Sequence, residues 1–194
     1  MASEDSTAEQ KRALRREARE RARTPAPAAL SEAAQERLLA SGLLDGLFTV
    51  ALYVALPSEV QTDRLLRALA GRGVRVALPV VDEAQRALSF RLGGGPLVRA
   101  ALGLRQPDAS APAVPLDEID AFVLPGLAAD ARGSRLGRGR GHYDATLAAA
   151  PRALRVGLYF DSSLVAEVPV GEHDALLDAV CTDARLLLCP PRPR

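Results

Sequence analysis

Residues 133–144 read GSRLGRGRGHYD and concentrate the chemistry of this chain. Gly133, Gly137, Gly139 and Gly141 are interleaved with Arg135, Arg138 and Arg140, and His142, Tyr143 and Asp144 follow directly. Glycine admits φ > 0 and lets the backbone approach a ligand closely. Successive N–H groups in such a loop form a concave anion site. Arginine adds planar, charged donors that match phosphate oxygens. The apolar DAFVLPG ahead reads as a buried strand, and YDATLAAA behind reads as the first turns of a helix. A glycine-rich loop running into a helix N-terminus is a recurrent way to hold phosphate. No Gly-Lys-Ser/Thr occurs, and the arginine-rich spacing does not fit the dinucleotide fingerprint. Two competing readings are a flexible surface turn and an RGG-like segment that touches nucleic acid. A single short block held between a strand and a helix favours phosphate binding over both.

These residues need a scaffold, and 194 residues supply one sizeable domain, read here as residues 1–194. With 48% hydrophobic and 25% charged residues, the composition is that of an ordinary globular chain. A net charge of +1 argues against bulk binding of polyanions, so a nucleic-acid partner is not expected. No apolar run approaches the length of a membrane span. The polar N-terminus has no secretory core, and Glu4, Asp5, Glu9, Glu17 and Glu20 argue against a transit peptide. Cys181 and Cys189 have neither disulfide-framework nor metal-ligand spacing, so a reducing cytoplasm is expected. The 25 basic residues include one lysine, Lys11, a hint that this position needs a compact ammonium.

Residues 8–23 are strong helix formers with alternating charge, and TPAP at 24–27 ends them. A second helix is expected from Ser31, and a third, capped by Thr62, up to Gly71 or Gly73. Short apolar runs predict buried strands at 48–56, 74–81, 88–92, 120–124, 155–160 and 179–188, with a short addition near Val165 and Val168. Residues 103–115 read as a long loop, and the tail at about 190–194 as frayed. Strands alternate with helices, and the strand runs lack strict apolar–polar alternation. That pattern predicts a three-layer α/β/α fold with a mostly parallel central sheet. Ligands in such sheets bind beyond the carboxyl ends of the strands, where the glycine-rich loop falls.

The block DAFVLPGLAADARGSRLGRGRGHYD resembles the signature of the 5-formyltetrahydrofolate cyclo-ligase family, also called methenyltetrahydrofolate synthetases. The matching positions are Pro125, Gly126, Asp130, Gly133, Arg135, Leu136, Gly137, Gly139, Gly141, Tyr143 and Asp144. Collinear with it are Lys11, Leu14 and Arg15 near the start, and Glu59 and Thr62 in SEVQT. Pro79, the Gln106–Pro107 pair and VPVGEHDALLDAVCTD complete the series. The resemblance covers nearly the whole chain. His142 stands where relatives commonly carry an aromatic residue, and so does Leu102.

The resemblance implies an ATP- and Mg²⁺-dependent enzyme. ATP would phosphorylate the formyl oxygen of 5-formyltetrahydrofolate, and N10 would close onto the activated carbon, giving 5,10-methenyltetrahydrofolate, ADP and phosphate. Such a step needs positioning and charge neutralisation rather than a protein nucleophile. On this resemblance Arg135 and Lys11 are the catalytic candidates. The ATP site would comprise Lys11, Arg15, Gly133, Arg135, Leu136, Gly137, Arg138, Gly139, Arg140, Gly141, His142, Tyr143 and Asp144. Glu59, Gln106 and Tyr143 would face the folate, and Asp144 and Asp174 are the Mg²⁺ candidates. Asp174 has a turn-capping alternative. A cytoplasmic monomer acting on small molecules is expected. Two rivals remain open: a paralogue using the same chemistry on another formyl or amide compound, and a non-catalytic nucleic-acid-binding module.

Overall fold

The computed structural model describes residues 2–21, 27–82, 84–100 and 104–192; Leu102 and Gly103 lie outside the described residues. Helix α1 (Ala2–Arg21) and helix α2 (Ala28–Ala40) lead into strand β1 (Thr49–Ala51), helix α3 (Asp63–Gly71) and strand β2 (Arg75–Val80). Short strands β3 (Ser89–Leu92), β4 (Leu97–Arg99), β5 (Arg105–Pro107) and β6 (Ala113–Val114) follow, then β7 (Ala121–Leu124). After β7 come β8 (Ala128–Ala129), β9 (Arg135–Leu136), helix α4 (His142–Ala149), β10 (Leu154–Leu158), β11 (Ala179–Cys181) and β12 (Leu186–Leu188).

Eight strands form the main sheet in the order β12-β11-β10-β7-β1-β2-β3-β6. The central five, from β11 to β2, pair in parallel. The outer strands β12, β3 and β6 pair antiparallel. The fold is therefore the expected α/β arrangement around a mostly parallel sheet. Successive residues along each central strand enter opposite cores. Val50, Val76, Ala121, Val123, Val156 and Ala179 pack with Leu38, Leu65 and Leu69 from α2 and α3. Ala51, Ala77, Phe122, Leu124 and Val180 pack with Leu147 from α4. Both faces are buried, which is why the strand runs are continuously apolar. The chain leaves β1 towards β2 on one side and returns to β7 on the other. The crevice between the carboxyl ends of β1 and β7 is thus a topological switch point.

Several boundaries differ from the expectations. The run at 48–56 yields only a three-residue strand, because the chain turns away after Leu52. Tyr53 Oη donates to the Val60 carbonyl, and Thr62 Oγ1 donates to the Tyr53 carbonyl at 2.8 Å, so the excursion closes on itself. Thr62 precedes α3 but spends its hydroxyl there rather than on a cap. Ser31 lies inside α2, where its hydroxyl accepts from the Gln61 N–H. The expected loop after residue 103 contains β5 and β6, with β5 paired to β4. The expected last strand is a hairpin: Thr182 Oγ1 accepts from the Ala184 and Arg185 N–H groups and turns β11 into β12. Val165 and Val168 add no strand among the described residues; the neighbouring Leu164 makes a single bridge to Ala129. The tail is pinned as far as Arg192, whose Nε donates to Asp178 at 2.7 Å. No described helix is long and apolar enough to cross a membrane.

Candidate active site

The path from β7 to α4 builds one wall of a cavity of about 440 Å³. At Gly126 a Cβ would sit 2.7 Å from Tyr159 Oη and 3.1 Å from the Leu136 carbonyl, so no larger residue fits. The β8–β9 hairpin then closes on a turn organised by Asp130, which is fully buried. Its Oδ1 accepts from the Arg132 and Ser134 N–H groups, and its Oδ2 accepts from the Val168 N–H at 2.9 Å. A buried carboxylate is tolerated when several donors satisfy it. This turn fixes where Arg135 enters the cavity.

Beyond β9 the chain needs glycine twice: Gly139 has φ +100° and Gly141 has φ +71°, both left-handed. Gly141 is the residue before α4, so the first turn of that helix, His142 to Asp144, faces the cavity. The favourable end of the helix dipole for an anion is therefore turned inward.

Helix α1 supplies the opposite wall. Its polar sequence docks through Ala18, which is 3% exposed and packs with Leu127, Ala128, Leu136 and Val168. Arg15 Nε donates to the Gly137 carbonyl at 3.0 Å and Arg19 Nη2 to the Arg138 carbonyl at 3.3 Å. Lys11 Nζ forms an ion pair with Asp174 Oδ2. Three carbonyl or carboxylate contacts thus tie the helix to the glycine-rich loop and to the segment before β11.

Among the described residues, six lysine or arginine side chains and three acids line the cavity. Each acid is paired: Asp174 with Lys11, Asp144 with Arg135 at 2.5 Å, and Glu59 with Arg138 at 3.1 Å. Arg15, Arg105 and Arg140 remain without an acidic partner among the described residues. The Arg135 side chain is only 4% exposed, and its Nε is buried with no hydrogen-bond partner among the described residues. The site is therefore electropositive in excess. Burial, reinforced by Glu59, pushes the Tyr143 phenol well above its ordinary range, so it stays a neutral donor. His142 Nδ1 lies 2.9 Å from the Arg86 carbonyl. A carbonyl only accepts, so that nitrogen carries a proton.

The residues singled out from sequence converge on this cavity: Lys11, Arg15, Glu59, Gln106, Asp174 and every one from Arg135 to Asp144. Gly133 is the exception. Its φ of +86° serves the Asp130 turn, and a Cβ there would lie 2.5 Å from the Leu177 carbonyl, so the residue packs inward and does not line the cavity. Its glycine meets a packing requirement of the fold. Arg135 and Leu136 are in a short strand rather than in loop. Gln106 faces the cavity from β5, and its Oε1 accepts from the Val81 N–H at 3.2 Å.

Sequence reasoning missed Tyr53, Leu56, Leu88 and Arg105, which also line the cavity. Tyr53 sat in an apolar run and read as core. Arg105, beside Gln106, has nothing in the sequence that separates it from the chain's many other arginines.

Comparison with known proteins agrees with this geometry. The model of the 5-formyltetrahydrofolate cyclo-ligase family matches residues 7–183. A protein of Mycolicibacterium smegmatis named 5-formyltetrahydrofolate cyclo-ligase is 39% identical over 174 residues, covering 84% of this chain and 89% of its own. The Escherichia coli K12 protein of the same name is 34% identical over 144 residues, covering 71% and 79%. In fold, the chain is similar to the solution structure of Aquifex aeolicus 5,10-methenyltetrahydrofolate synthetase, with TM-score 0.75 at 23% identity over 97% of this chain and 95% of that one. The Mycoplasma pneumoniae 5,10-methenyltetrahydrofolate synthetase gives TM-score 0.71 at 21% identity, covering 89% and 98%.

Proposed function

The chain belongs to the 5-formyltetrahydrofolate cyclo-ligase family, and from that membership and the geometry of its cavity we propose that it uses MgATP to cyclise 5-formyltetrahydrofolate. The formyl oxygen attacks the γ-phosphorus, and ADP leaves. N10 then attacks the activated formyl carbon and loses its proton, and the C–O bond breaks to release phosphate. The product is 5,10-methenyltetrahydrofolate.

The observation that carries this reading is Arg135: a largely buried guanidinium lining a cavity rimmed by a glycine-rich loop and a helix N-terminus. A phosphate oxygen is the acceptor such a donor set fits. The backbone of Gly137, Gly139 and Gly141 would hold the phosphates, and Arg135, Arg138 and Lys11 would offset the charge that develops during transfer. Arg15 and Arg140 add positive field. Lys11 reaches the cavity as a compact ammonium paired with Asp174.

Asp144 and Asp174 suit a Mg²⁺ ion that arrives with the nucleotide. Asp144 Oδ2 and Asp174 Oδ1 accept no hydrogen bond among the described residues. Mg²⁺ keeps several waters and takes only one or two carboxylates plus phosphate. When bound, the ion neutralises phosphate charge.

Glu59, buried and acceptor-only, would take the amino and ring N–H donors of the pterin. Val54, Leu56, Val81 and Leu88 supply an apolar wall for a flat ring and keep water from the activated carbon. Gln106 and Tyr143 line the same space.

The test is absorbance in the methenyl-folate band with purified protein and 5-formyltetrahydrofolate. The band grows only when MgATP is present. Absence of growth with nucleotide bound would move the substrate to another formyl or amide compound.

A further inference from the structure

Glu59 and Arg138 belong to different halves of the cavity yet occupy one another. Glu59 is 9% exposed, and both its oxygens are engaged. Oε2 accepts from the Leu56 N–H at 3.0 Å, while Oε1 accepts from both Nε and Nη2 of Arg138 at 3.3 and 3.1 Å. A carboxylate oxygen has two lone pairs. With both directed at one guanidinium, Oε1 cannot also receive an amino group from a ring.

Arg138 has a second destination. It lies in the glycine-rich loop between Gly137 and Gly139, and Gly139 has the left-handed φ that only glycine adopts readily. The loop that would carry the nucleotide phosphates is the one that carries Arg138. Its side chain is 40% exposed, so it moves at little packing cost, whereas Glu59 is held. One cation thus stands between two anions, a fixed carboxylate and an incoming phosphate.

We propose that Arg138 couples the two substrates of the reaction proposed above, on which this inference rests: nucleotide phosphate draws Arg138 off Glu59 and frees that carboxylate for the pterin. Nucleotide therefore strengthens folate binding, and by thermodynamic reciprocity folate strengthens nucleotide binding by the same factor. Coupling of this kind commonly amounts to about 5- to 150-fold.

The test is calorimetric titration of the full chain with 5-formyltetrahydrofolate, alone and with a saturating non-hydrolysable ATP analogue and Mg²⁺. Wild-type Kd falls about tenfold with the analogue. Arg138→Gln binds folate without nucleotide about as tightly as the wild type does with it, and saturating analogue gives no further gain. The reverse titration, analogue against folate in the wild type, returns the same factor without any variant. A wild-type Kd that is equal in both conditions overturns the coupling and leaves the proposed function standing. So does an Arg138→Gln variant whose nucleotide-free affinity is unchanged or weaker. Failure of folate to bind under either condition overturns the reading of the site itself.

Discussion

Arg135 and Asp144, nine residues apart, meet across the glycine-rich loop with Nη2 2.5 Å from Oδ1. One leaves β9 and the other sits on the first turn of α4, so this contact closes the loop like a clasp. Asp144 Oδ1 also accepts from the Ala175 N–H at 3.2 Å, which extends the clasp to the segment that carries Asp174.

Removing Arg135 should separate stability from catalysis. Arg135→Ala leaves Asp144 without its cation and should cost about 1–3 kcal/mol. Turnover should fall by about 10²–10³-fold or more. The double variant Arg135→Ala/Asp144→Asn should regain most of the stability and none of the activity. Urea midpoints and initial rates read the two effects; a double variant no more stable than the single one would show that the pair is not what stabilises the loop.

Lys11 should not tolerate arginine. Lys11→Arg keeps the charge but replaces a compact ammonium paired with Asp174 by a longer, planar fork. The rate should drop by about tenfold or more while the melting temperature stays near that of the wild type. Equal rates for the two proteins would mean that only charge matters at this position.

Docking of α1 should be separable from the integrity of the sheet. Ala18→Glu puts a carboxylate into the seam with Leu127, Leu136 and Val168. Detaching the helix carries off Lys11 and Arg15, so KM for ATP should rise by about tenfold or more. The main cores contain none of the α1 residues, so the urea transition of the sheet should be retained. Loss of that transition along with activity would mean that α1 is part of the folding unit.

Alkaline pH should weaken the fold. Burial pushes the Cys181 thiol up to about 11, and burial together with nearby Asp130 and Asp178 pushes the Cys189 thiol up to about 11. Burial likewise raises the phenols of Tyr53, Tyr143 and Tyr159. Above the ordinary thiol range, the unfolded chain has released protons that the native chain still holds. The native state then binds more protons, and stability falls with rising pH. The contribution is fully present below about pH 9 and declines from there towards 11. Urea midpoints measured from pH 7 to 10.5 should show it, and Cys181→Ala should flatten the decline. A midpoint that rises over pH 9–10.5 would sink this account.

The clustering of glycines and arginines at 133–144, the single lysine and the strand–helix alternation were all legible in the chain. Each is local: glycine's dihedral freedom, apolar runs and helix formers act over a few residues. The mostly parallel sheet followed from strand runs apolar on both faces, as the opposite packing of Val50 and Ala51 shows. What the sequence left open was partnership. Gly133 was legible as part of the glycine-rich block, and only the fold shows how tightly it packs against Leu177 and Cys189. Arg138 and Glu59, 79 positions apart, looked like groups for two different ligands, and the fold sets them against each other.

The sequence by itself determined which chemistry was present and which elements would carry it, because residue type and short-range spacing are written along the chain. Tertiary structure alone decided which cation meets which anion, how α1 reaches the glycine-rich loop, and which donors stay free. Charge pairing depends on distance through space, and that distance is set by crossings between β1 and β7 that no local pattern encodes.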